Sequence, residues 1–143
     1  MGNNKILLAG FLGGVTLFVL GFLIYGFLLM QFMADNAGGP GVNKTMEEMS
    51  FGWLIISNLA SGYFLAVVLG KYAHITTAMA GAQASALIGF LMALGVDTAM
   101  FATTNLYNMK GMVTDIIVWT VMCSITGAVV AAVLGMKSKT ATA

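Results

Sequence analysis

The segment ILLAGFLGGVTLFVLGFLIYGFLLMQFMA, residues 6–34, contains no charged side chain. About 20 helical residues cross the hydrocarbon core of a bilayer, and this run exceeds that length. Three more charge-free runs follow, Met49–Gly70, Ile75–Val96 and Ile116–Met136, each at least 21 residues long. A helix in water needs a polar face, and these runs have almost none. The reading is an all-α membrane protein, a four-transmembrane-helix bundle forming one domain over residues 1–143. Its helices are expected near 5–33, 46–70, 76–102 and 112–136.

Composition agrees. The chain is 59% hydrophobic and 8% charged, whereas soluble domains are about 25% charged. A net charge of +1 lacks the basic stripe of a nucleic-acid binder. All six basic residues are Lys, so no Arg offers bidentate phosphate recognition. The single Cys123 excludes an intrachain disulfide. The first run is about twice the length of a signal-peptide core and is expected to be a retained span.

Lysines set the expected orientation. Lys5, Lys71, Lys137 and Lys139 lie on one side of the spans, against Lys44 and Lys110 on the other. The positive-inside rule then places both termini in the cytoplasm of a bacterial inner membrane. On the outer side, Thr45-Met46-Glu47-Glu48 has the spacing of a capping box. A second helix beginning about one turn above the membrane is expected from it.

Small residues suggest how the helices meet. Gly10, Gly14 and Gly21 share a face of the first helix. Gly81, Ser85 and Gly89 repeat at four-residue spacing on the third, and Thr120, Ser124, Gly127, Ala131 and Gly135 line the fourth. Such stripes let backbones approach closely in lipid, within one bundle or between subunits. The chain also looks duplicated: Gly13 to Ile24 matches Gly81 to Met92 in its glycine spacing and Gly-Phe-Leu ending, and Ser61-Gly62 echoes Thr126-Gly127. Two tandem helical hairpins would form a parallel repeat.

Few side chains can carry chemistry. Asp97 lies inside the third helix and Asp115 opens the fourth, both toward the outer side. Intramembrane carboxylates face a cavity or a partner. An ideal helical wheel puts Gln83 and Asp97 on one face and Asp115 and Trp119 on another, each opposite its helix's small-residue stripe. The expected pocket holds Asp97, Asp115, Thr103, Thr104, Asn105, Lys110, Trp119 and Gln83. Asp97 is expected to be satisfied by Asp115, Thr104, Asn105, Lys110 or Tyr25. No catalytic constellation and no cofactor site is present. Three methionine pairs at i,i+3 spacing, Met30/Met33, Met46/Met49 and Met109/Met112, offer soft thioethers of the kind that hold Cu(I). Apolar filling is the simpler use of methionine.

The segment Phe101-Ala102-Thr103-Thr104-Asn105-Leu106-Tyr107-Asn108-Met109-Lys110-Gly111, with Asp115 and Trp119-Thr120-Val121, resembles an uncharacterised bacterial family of four-helix membrane proteins. The likeness covers roughly residues 97–135 and implies a fold and a bacterial origin, with no chemistry. In that family a bulky or proline-bearing step follows Lys-Gly, where this chain has Met112-Val113. Three classes of function remain, of which a membrane enzyme ranks last for want of a reactive constellation. The first is a non-enzymatic protein acting through helix packing, as a homo-oligomer or an accessory subunit of a membrane complex. The alternative is a small carrier or channel for a cation, proton or polar solute, using the Asp97/Asp115 pocket.

Overall fold

The computed structural model describes residues 2–136. Helix α1 (Asn3–Leu23) passes into a π-helical turn, Ile24–Leu28, and a short α2 (Met30–Asp35). After a loop, α3 (Phe51–Val67) ends in a second π-helical turn, Val68–Tyr72. Helices α4 (Ala78–Thr103) and α5 (Met109–Gly135) complete the fold. Among the described residues, four segments are long and apolar enough to cross a membrane: Asn3–Leu28, Phe51–Tyr72, Ala78–Thr103 and Met109–Gly135.

Helix α1 packs on α3 and α5, while the packing partner of α4 is α5. Across the molecule the order is therefore α3, α1, α5, α4. The core is small: Ala9, Ala66, Leu69, Val130, Ala131 and Leu134 are buried together. Large apolar side chains point outward instead, with Leu28 77%, Trp53 72% and Met79 71% exposed.

The close contacts run through glycine. A Cβ on Gly62 would strike the Gly14 nitrogen and the Gly10 carbonyl, and one on Gly127 would strike Ser85 and the Gly81 carbonyl. Each hairpin thus has a glycine of its second helix, Gly62 or Gly127, seated in a socket on the backbone of its first. The sockets align Gly10 with Gly81 and Gly14 with Ser85. That register is three residues from the Gly13/Gly81 match read in the sequence. Gly21, expected in the stripe, meets only the Met122 methyl at 3.5 Å.

The third helix element starts later than its capping signal suggested. The Thr45 amide does donate to Glu48 Oε2 at 3.0 Å, and this bond, with that from the Thr45 hydroxyl, holds the Glu48 carboxyl below its ordinary range. Yet the Glu48 and Met49 amides close a single turn on the Thr45 carbonyl at 3.1 Å. Ser50 is extended (φ −87°, ψ 91°), and the helix begins only at Phe51. At the opposite end of the bundle, the Lys5 ammonium donates to the Met136 carbonyl, joining the start of α1 to the end of α5.

Candidate functional site: an acid pair at one end of a helix zipper

The buried residues of α4 are Gly81, Ser85, Gly89, Ala93 and Asp97, a single row at four-residue spacing. Helix α5 answers with a row of the same spacing. A Cβ on Gly81 would meet Ala131 and Gly127, Ser85 sits on Gly127, and a Cβ on Gly89 would lie 2.5 Å from that of Cys123. Every four residues forward along α4 are four residues back along α5. Two further steps bring Ala93 level with Trp119, and Asp97 level with Asp115. The two carboxyl groups adjoin there, within hydrogen-bonding reach of each other.

Asp97 therefore continues the small-residue stripe rather than opposing it. A row of i,i+4 residues is inclined to the helix axis. Over the sixteen residues from Gly81 it drifts about 160° on an ideal wheel, while remaining in one inter-helix seam. The seam of α5 likewise runs through Trp119, Cys123, Gly127 and Ala131. Thr120 and Ser124 are half-buried beside it, with the Thr120 hydroxyl donating to the Ile116 carbonyl at 2.7 Å.

Two tyrosines complete the site. Tyr107 donates its hydroxyl to Asp97 Oδ1 at 3.0 Å, and Tyr25 donates to Asp115 Oδ1 at 2.7 Å. Tyr25 stands on the first π-helical turn, whose wide hydrogen bond runs from the Leu29 amide to the Ile24 carbonyl at 2.7 Å. π-Helical turns of this kind recur at functional sites.

Tyr107 is placed by a clasp between the end of α2 and the α4–α5 loop. The Gly38 amide donates to the Leu106 carbonyl at 3.0 Å, and the Asn108 amide to the Asn36 carbonyl at 2.9 Å. The Asn108 and Asn36 side chains pair at 2.9 Å, and Asn108 Oδ1 accepts from the Gly111 amide at 3.0 Å, capping α5. Only glycine fits at position 38, where a Cβ would collide with the Asn105 carbonyl. Burial, then the hydrogen bond and charge of Asp97, push the Tyr107 hydroxyl above its ordinary ionisation range.

Asp97 is 7% exposed, and its Oδ2 is buried without a hydrogen-bond partner. Both acids and both tyrosines line a cavity of about 790 Å³, walled further by Met30, Met33, Met46, Met49 and Met100, with Lys44 beside them. Among the described residues, no three His, Cys, Asp or Glu side chains gather as a metal site.

The other expected pocket residues lie elsewhere. The Thr103 and Thr104 hydroxyls donate to the carbonyls of Ala99 and Met100 at 2.8 and 2.7 Å, within their own helix end. Asn105, Lys110 and Gln83 are exposed and outside the cavity, and Trp119 lines apolar grooves. Met109 and Met112 do not line the cavity either. Of the partners expected for Asp97, Asp115 adjoins it, while Tyr25 serves Asp115 instead. Tyr107 escaped the sequence reading, although a phenol flanked by Asn105 and Asn108 ten residues beyond Asp97 was a usable signal. Comparison with protein-family models, curated proteins and solved structures found no match to this chain.

Proposed function

We propose that this chain is a non-enzymatic, multi-pass inner-membrane protein of bacteria that carries a monovalent cation, or a proton in exchange for it, at the Asp97–Asp115 pair. The sequence alone ranks helix packing first. The geometry of the acid pair favours the carrier. One observation carries this reading: Asp97 Oδ2 is buried with no donor, beside a second carboxyl group. Two like charges sharing a site repel, and a buried unpaired charge is costly. A proton or a cation between them relieves both penalties.

The outward apolar side chains of all four long helices support lipid as their solvent, because monomeric soluble proteins rarely expose patches of this size. The lysine distribution supports termini in the cytoplasm, which puts the acid pair near the outer surface. We also propose membership of the bacterial family that residues 97–135 resemble. The repeated glycine socket supports a common hairpin plan, although its register differs from the sequence match.

The test uses sealed vesicles of phosphatidylethanolamine and phosphatidylglycerol with a trapped pH dye. Pulses of external sodium, potassium or an organic ammonium should move protons through the wild-type chain and not through Asp97→Asn or Asp115→Asn. Equal responses from the wild type and both variants would overturn the carrier. The packing role retains one specific support: α3 and α4 flank an apolar slot of about 250 Å³ over α5, which leaves α4 with a face for another subunit.

A further inference from the structure

We infer that the cation is an amphiphilic organic monocation, its charged head in the cavity against the Asp97–Asp115 pair and its apolar body in the adjoining groove between α1 and α3. This rests on the carrier reading and assigns its substrate class. The acid-lined cavity adjoins a second one. It shares Tyr25, Gly26, Met46 and Met49 with a second cavity of about 370 Å³. The walls of that second cavity include Phe18, Phe22, Phe51 and Met122. Charge complementarity thus exists at one end only; the rest is mainly apolar, and the Ser57, Asn58 and Ser61 side chains on its α3 wall are spent on carbonyls of their own helix.

The size and lining argue against hard divalent cations and Cu(I), and favour an organic monocation over a bare alkali ion. Hard divalent cations take about six or more oxygen ligands, whereas one oxygen of each carboxyl group here already accepts from a tyrosine hydroxyl, leaving Asp97 Oδ2 and Asp115 Oδ2 as the two acid oxygens without a tyrosine donor. Cu(I) needs thioethers converging on a point, whereas these methionines surround about 790 Å³ of space. That volume is typical of sites for small organic ligands, which are mostly apolar with a few placed polar groups. Methionine adapts to irregular apolar bodies, and the rings of Tyr25 and Tyr107 favour a nearby cation. A phospholipid head is disfavoured, because its phosphate would meet two carboxylates. The acid cluster is joined by a further observation: Asp97, at the cavity wall, is more than nine-tenths buried and its Oδ2 has no hydrogen-bond donor.

The experiment is equilibrium dialysis of radiolabelled tetraphenylphosphonium against the full chain in phosphatidylcholine nanodiscs. Saturable binding is expected, weakened more than tenfold by Asp97→Asn and by the Phe18→Ala/Phe22→Ala pair, with helicity unchanged. Neutral triphenylphosphine oxide should compete poorly, and tetramethylammonium should compete only at far higher concentration. Lys44→Ala should tighten binding severalfold by removing a like charge from the cavity wall. Equal competition by the neutral compound, or silver ion saturating the site with no phosphonium bound, would overturn the inference. Absence of phosphonium binding alongside Asp97-dependent proton movement would overturn the inference and leave the carrier standing; loss of both would remove both.

Discussion

Asp97 and Tyr107 form a pair in which the hydroxyl donates and a buried carboxyl oxygen accepts. Tyr107→Phe removes the donor and leaves the acceptor buried, so a stability loss of about 1–3 kcal/mol is expected, read as a lower unfolding midpoint in mixed micelles. Asp97→Asn keeps an acceptor for Tyr107 and gains an N–H for Asp115, so it should hold most of the stability. Asp97→Leu should lose about 1–3 kcal/mol, because the Tyr107 hydroxyl is left without its acceptor. A pH titration adds an independent check on Tyr107. Below its ordinary value of 10.0 the hydroxyl is protonated in both folded and unfolded chains, and its contribution is fully present. As the pH rises past that value the unfolded chain releases the proton first, and the contribution fades. The tyrosinate absorbance of the folded wild type and of Tyr107→Phe should therefore coincide just above pH 10.0 and separate once the chain unfolds.

At the level of helices, the small residues divide into seams and free surface. Gly62→Ala places a methyl against the backbone of α1 and should cost more than about 2 kcal/mol, since overpacking of this kind costs typically 1–3. Gly52→Ala meets nothing within 4 Å and should add about 0.5–1 kcal/mol through helix propensity. Equal midpoints for the two variants would contradict the seam. Much of this was legible in the sequence, because a lipid-crossing helix is defined by an unbroken apolar run and a close contact by a row of small residues. The faces were less legible. A wheel drawn at constant angle separates Gly81 from Asp97, whereas the real contact follows an inclined ridge. The two π-helical turns and the extended Ser50 left no mark either, since each depends on a hydrogen-bond choice that several backbone paths could satisfy.

For the whole molecule, the orientation makes a direct prediction. A cysteine at Asn43, in an otherwise cysteine-free chain, should react with an impermeant maleimide added outside intact cells. One at Lys71 should react only after the membrane is opened, and the reverse pattern at both positions would invert the topology. Lys71 serves here because Ser138, the other cytoplasmic choice, lies outside the described residues, as do Lys137 and Lys139. The expected extracytoplasmic segment, Asn36 to Ser50, reaches the rest of the outer end through the clasp at Asn36–Gly38. Replacing Gly38 by Val should break that clasp and free Tyr107 while leaving the glycine sockets of the hairpins intact. Faster amide exchange confined to residues 105–111 would register it.

The chain carries one thiol, and the fold has placed it at Cys123, buried where α5 meets Gly89. Nature has thereby supplied a chronometer for helix separation. Alkylation by a small apolar reagent proceeds only during intervals when α4 swings off α5, so the modification rate counts those excursions directly. A carrier that parts this seam during each cycle would show the rate climbing with turnover, and a rigid scaffold would show a rate indifferent to any solute supplied.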